Sequence, residues 1–142
     1  MAFHHKPDRF DIWPEFGFPG DALSFDGYRV FGVGREHDSK KRWNLSVFGR
    51  NGWNKKLWFT EIDDSVNRLK GVITAGNTII VSLGGTYVKD DQKEIKGRIL
   101  FYSAEDGKHL KEITLDTVPQ WDGMAAAYGK LFISAENGTV FC

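Results

Sequence analysis

Residues 70–82, KGVITAGNTIIVS, and residues 122–134, DGMAAAYGKLFIS, are two versions of one unit. At an offset of 52 residues Gly71 meets Gly123, Ala75 meets Ala127 and Ser82 meets Ser134. Ile79, Ile80 and Val81 likewise meet Leu131, Phe132 and Ile133. Each version is an apolar run, a turn dipeptide (Gly76-Asn77 or Tyr128-Gly129) and a second apolar run. Gly and Asn supply the positive φ that tight hairpins need. A weaker third version, LSFDGYRVFG at 23–32, stands 50 residues ahead of the first.

Working outward, short β-type runs fill the spaces between these hairpins. They lie at 28–33, 44–48, 56–60, 71–75, 78–82, 98–102, 109–115, 123–127, 130–134 and 139–141. Most are bounded by Gly, Asn or Asp, as at Asp26-Gly27, Asp106-Gly107 and Asn137-Gly138. Helical periodicity is scarce. The window 57–70 carries Leu57, Trp58, Phe59, Ile62, Val66 and Leu69, but Asp63-Asp64-Ser65 interrupts it as a turn, so it is read as strand then loop. Short strands joined by hairpin turns mean antiparallel meanders.

A repeat of about 50 residues with four strands per unit is the pattern of a β-propeller blade. The expected fold class is therefore all-β, with about three four-stranded antiparallel meander blades in an incomplete ring. The blades are placed near 22–62, 70–115 and 122–142, after an aromatic, Pro- and Gly-rich segment at 1–21. The third blade lacks its outermost strand. Propellers close with four to eight blades, so completion calls for a longer chain or for a homo-oligomer. The competing architecture is a small sandwich or open barrel.

Composition narrows the function classes. Lys plus Arg balance Asp plus Glu at 19 each, so the chain lacks the basic excess of a nucleic-acid binder. The densest basic run, Lys40, Lys41 and Arg42, follows Glu36 and Asp38 and reads as a solvated loop. No apolar run approaches the ~20 residues of a membrane span. The N-terminus lacks the apolar stretch of a signal peptide. Cys142 is the one cysteine, so no intramolecular disulfide forms and the compartment is not legible from cysteines.

The run GRILFYSAEDGKHL at 97–110 resembles the repeat of the pyrroloquinoline-quinone-like (PQQ-like) propeller family. In that repeat a strand leads into Ala-x-Asp-x-x-Thr-Gly-Lys and then a strand carrying Trp. Ala104, Gly107 and Lys108 match; Asp106 stands in the Thr place and Lys111 in the Trp place. The Lys56-Leu57-Trp58 run keeps the Trp strand in the preceding unit. Residues 120–140 look like the last blade of such proteins and 26–35 like an earlier strand pair, so the resemblance covers roughly 22–142. It implies a periplasmic or extracellular setting. Quinone-dependent members hold the quinone and calcium over the ring axis, but no residue here matches those ligands. The resemblance implies a binding or scaffold role without a cofactor, in which the ring face presents loops to a protein or polysaccharide.

The candidate ligand-binding residues are Trp13, Phe16 and Phe18, in the segment FDIWPEFGFPG at 10–20. Two prolines keep this segment from being a regular central strand. Its rings can stack on a sugar or peptide, or cap a blade. No metal site is expected. His4 and His5 are adjacent near a terminus, and neither they nor His37 and His109 have metal-ligand spacing. Asp63-Asp64 and Asp90-Asp91 miss the calcium-loop spacing and read as solvated turns. No catalytic residues are assigned, because nucleophile-elbow, zinc-protease, Walker and Rossmann patterns are all lacking. The alternative reading is a fragment of a propeller enzyme: a quinoprotein dehydrogenase using quinone and calcium, or a polysaccharide lyase or hydrolase. Residues 86–96, rich in charge, are expected to form a long hydrophilic hairpin loop.

Overall fold

The apolar runs become eleven strands in three antiparallel sheets in a computed structural model that describes residues 21–35, 43–49, 52–62 and 68–142. Sheet 1 runs in the order β1 (Ala22–Phe25), β2 (Arg29–Arg35), β3 (Trp43–Gly49) and β4 (Gly52–Ile62). Sheet 2 follows as β5 (Arg68–Ala75), β6 (Thr78–Lys89), β7 (Gln92–Ser103) and β8 (His109–Leu115). Sheet 3 has three strands, β9 (Pro119–Ala127), β10 (Lys130–Ala135) and β11 (Val140–Phe141). Each strand pairs with its neighbour in sequence, so every sheet is a simple meander. No helix occurs among the described residues, and none is long and apolar enough to cross a membrane. The three sheets do not close on themselves.

The first strands of the sheets sit side by side, β1 against β5 and β5 against β9. This stacks the sheets with sheet 2 in the middle, and the burial pattern follows from that position. On β3, Trp43, Leu45 and Val47 are buried while the residues between them are half-buried, because one face meets the core. On β6, residues 79–84 are buried without alternation, because both faces are covered. One core joins Phe31, Val33, Leu45 and Val47 of sheet 1 to Val72, Ile79, Val81, Leu83 and Leu100 of sheet 2. A second joins Ile80 and Ile99 of sheet 2 to Ile133, with Met124, Leu131 and Phe141 packed against it.

The repeat has a structural meaning that differs between its copies. Sheets 2 and 3 correspond in register at 52 residues: Val81 and Ile133 both face the preceding sheet. The third version does not correspond at 50. Phe31 faces sheet 2, whereas Val81, its partner at that offset, faces sheet 1. A slip of one residue turns every side chain to the other face. The slip is already present on β1: Phe25 shares the side of Val30, away from sheet 2, whereas Ala75, its partner at that offset, packs towards sheet 3. The first turns also differ, Phe25 pairing with Val30 across four residues and Ala75 with Thr78 across two, but a difference of two leaves the faces unchanged.

The stretch at 86–96 also departs from its expected form. β6 and β7 pair without interruption from Thr78 with Ser103 to Lys89 with Gln92. Asp90 and Asp91 make the two-residue turn at φ 51° and 60°. Short acidic side chains tolerate this left-handed region better than most. The pairing of β5 stops at Gly84 and that of β8 at Gly97, so the hairpin beyond them is a two-stranded ribbon projecting from sheet 2.

Tyr102 on β7 is buried, with its ring edge-on to His109 at 5.3 Å between centroids. Burial pushes its phenol from about 10 up to about 12, Arg98 pulling it down and Glu112 pushing it up. The folded state thus favours the protonated phenol. That contribution is complete below the unfolded value and is lost as pH rises towards the folded one. Denaturant midpoints should fall between about pH 10 and 12, by on the order of 2 kcal/mol in stability. The Tyr102→Phe protein should lack that fall; an unchanged alkaline profile would rule out Tyr102 as its source.

Candidate functional site

An antiparallel meander sends alternate turns to opposite ends, so the first turn of each sheet falls at the same end. These are residues 26–28, 76–77 and 128–129. The β7–β8 turn, residues 104–108, joins them.

The first turn is tied by Asp26. One carboxylate oxygen accepts from the backbone N–H groups of Tyr28 and Arg29 at 2.8 and 2.7 Å. The other accepts from Nε and Nη2 of Arg29 at 3.0 and 2.8 Å. Burial raises the Asp26 carboxyl, but these donors outweigh it and hold the group below its ordinary value. The guanidinium also donates from Nη1 to the Ala104 carbonyl at 2.6 Å and lies 5.1 Å from the centre of the Phe31 ring. Arg29 therefore fastens the sheet 1 turn to the sheet 2 turn. Ala104 donates its N–H to the Asn77 carbonyl at 2.9 Å, adding a third turn to the set. Between β1 and β5, the Ser24 and Thr74 hydroxyls meet at 3.1 Å.

The β7–β8 turn shows why the residues singled out there are needed. Ala104 is fully buried in the core shared by sheets 1 and 2. Gly107 has φ +74°, and a β-carbon there would stand 2.6 Å from the Trp58 ring. Trp58 of β4 thus packs closely against a bare backbone in the next sheet. Asp106 accepts the Lys108 N–H at 3.1 Å. Its carboxyl is lowered, chiefly by its hydrogen bond with the Ser103 side chain and then by the Lys108 N–H. Lys108 itself is exposed, as a turn lysine should be. The sequence holds both halves of the Trp58–Gly107 contact, but only the stacking of sheets 1 and 2 brings them together.

Rings exposed at this end set its chemistry. Tyr28 is 81% exposed on the sheet 1 turn and Tyr128 is 100% exposed on the sheet 3 turn. Tyr128 holds φ 53°, a region costly for a bulky side chain. Asn77, on the turn between them, is exposed and polar. An amide flanked by two phenols can stack on flat ligand faces and exchange hydrogen bonds with their rims.

Trp13, Phe16 and Phe18 lie outside the described residues, as do His4, His5, His37, Asp63-Asp64 and the basic run at 40–42. His109 stands alone on β8 against Tyr102. Among the described residues no three His, Cys, Asp or Glu side chains gather as a metal site would need. The sequence reading missed Tyr28 and Tyr128 as a pair. The available signal was their shared place at the first turn of a repeat unit, where Gly or Asn would be the ordinary choice. No protein-family model, curated protein or solved structure matches this chain.

Proposed function

We propose that this chain is a non-enzymatic binding module made of blade-like sheets, related to the PQQ-like propeller repeat, whose turn-bearing end takes a polysaccharide. The observation that carries the reading is the gathering of first turns at one end, with Tyr28 and Tyr128 held out to solvent. Aromatic faces stack on the apolar faces of sugar rings, and phenol hydroxyls reach their rims. The zero net charge suits a neutral glycan better than a nucleic acid. Trp13, Phe16 and Phe18, in the segment just before β1 in sequence, remain candidate ligand-binding residues in the same reading. Stacked sheets with adjacent first strands favour the propeller form, with further sheets completing the ring.

Binding should be measured by calorimetry against a panel of neutral and acidic oligosaccharides. Tyr28→Ala and Tyr128→Ala should each weaken binding about tenfold, the loss of roughly 1.4 kcal/mol of stacking per ring. Unchanged affinity in both variants would remove the site. A protein partner captured through the same two tyrosines would keep the site and change the ligand class.

A further inference from the structure

The start of β9 is longer than its counterpart in sheet 2, and the added length carries an exposed tryptophan. Pro119 pairs with Ala135 and Leu69 pairs with Leu83, and those two partners correspond at the in-register offset of 52. Pro119 therefore fills the place of Leu69, and both are buried. Gly71 and Gly123 also correspond at 52. Between these fixed points β5 carries Lys70 alone, as a bulge, whereas β9 carries Gln120, Trp121 and Asp122. Counted along the chain, Trp121 matches Leu69, yet Trp121 is 55% exposed and Leu69 only 3%.

This excursion is held at both ends. Pro119 sits over the Gly84–Gly97 pair, where a β-carbon added to Gly97 would stand 2.5 Å from its Cδ and 2.6 Å from the Thr117 carbonyl. Gly123 likewise leaves no room: a β-carbon there would meet Gln120 Cβ at 2.9 Å and the Ser134 carbonyl at 3.2 Å. Asp122 holds φ 53°, a region that a short acidic side chain tolerates. A β-carbon on Gly71 would stand 3.7 Å from Asp122 Cα, so the excursion leans over β5, on the side of sheet 2 that faces sheet 3. Its position is thus set by contacts within the described residues. It lies at the end opposite Tyr28 and Tyr128, beside the base of the projecting ribbon.

Packing does not account for a bulge that puts one residue in the left-handed region and an indole in water; bulges of this kind re-aim side chains at sites of function. The Trp121 ring is flanked by the Gln120 amide and the Asp122 carboxylate, both exposed and without a hydrogen-bond partner among the described residues. Beside them the Lys70 ammonium meets Glu136 at 2.6 Å, so those two charges cancel and a cationic ligand gains little. A sugar ring offers an apolar face to the indole and hydroxyls that donate to the carboxylate and exchange with the amide. We infer that Gln120, Trp121 and Asp122 form a second glycan site, at the end opposite the tyrosines. The site stands on its own geometry, and only the choice of glycan over peptide rests on the function proposed above. Two sites at opposite ends make the module a bridge between glycan chains.

The test follows the Trp121 indole N–H by NMR, assigned with Trp121→Phe, while the ¹⁵N-labelled protein is titrated with the same oligosaccharide panel. The signal should shift in the unaltered protein and equally in the double variant Tyr28→Ala, Tyr128→Ala. In that double background calorimetry reads the second site alone. There Trp121→Ala should weaken binding about tenfold, the loss of one stacked ring. Asp122→Asn, which keeps the tolerance for positive φ, should weaken it about threefold. Leu110→Ala, 53% exposed on β8, should change nothing, and circular dichroism should stay native throughout. A Trp121 shift that vanishes with the tyrosines would overturn the second site. A still Trp121 signal beside intact tyrosine-dependent binding would overturn it too and leave the first site standing. A shift without any tyrosine-dependent binding would uphold this site and remove the other. Silence towards every oligosaccharide, or a shift only with a Lys- or Arg-rich peptide, would overturn the glycan assignment.

Discussion

Gly107→Ala should lower stability by about 3 kcal/mol and the melting midpoint by roughly 10 °C. Two independent costs act at this one position. At φ +74° an L side chain sits in the left-handed region, worth roughly 1–2 kcal/mol. The new β-carbon would also stand 2.6 Å from two atoms of the Trp58 ring, and rings do not yield as flexible chain ends do. Overpacking of that kind costs about 1–3 kcal/mol. The double variant Gly107→Ala with Trp58→Leu should recover the second cost but not the first. Gly129→Ala supplies the control for backbone strain, because its φ is +72° with no atom within 4 Å of the added carbon. If the two glycine variants lose the same stability, the contact between Trp58 and the turn carries no weight.

Phe31→Ala should cost about 3–5 kcal/mol, the range for deleting a fully buried aromatic. Phe31 is wholly buried between sheets 1 and 2 and carries Arg29 over its ring. Truncation opens a cavity in the core that holds those sheets together and removes the surface on which Arg29 rests. For a domain whose total stability is about 5–15 kcal/mol, that is a large fraction. Phe59→Ala, on the same sheet but 60% exposed, should stay within about 1 kcal/mol by chemical denaturation. Equal losses at the two positions would contradict the placement of the core.

The strands were largely legible in the sequence, because hairpins advertise themselves twice. Apolar runs mark the pleated surface, and dipeptides such as Gly76-Asn77 and Asn137-Gly138 mark where it folds back. Gly76 and Gly138 do take positive φ, at 58° and 85°. The three strands of the third sheet were legible too, from the runs at 123–127, 130–134 and 139–141. The ribbon at 86–96 was not, since its turn is Asp90-Asp91 rather than a glycine pair and its charge suggests a loop. Nor was the register of sheet 1. The apolar runs of sheet 1 match the repeat best at an offset one residue away from the one that matches faces, and nothing local in the sequence reveals that slip. The Tyr28 and Tyr128 surface depends on which turns share an end. That is a property of the stack, and no single hairpin contains it.

The central position of sheet 2 has a consequence for how the molecule comes apart. Its strands are joined by short turns, so each sheet can assemble with little loop-closure entropy. Sheets 1 and 3, by contrast, rely on sheet 2 for the surface each buries. Such an arrangement behaves as a short row of coupled units, in which the terminal members melt outward and the middle one sets the cooperativity. Adding a neighbour at either end would convert a terminal unit into a middle one, so stability in this architecture grows with the number of junctions rather than with the quality of any one sheet.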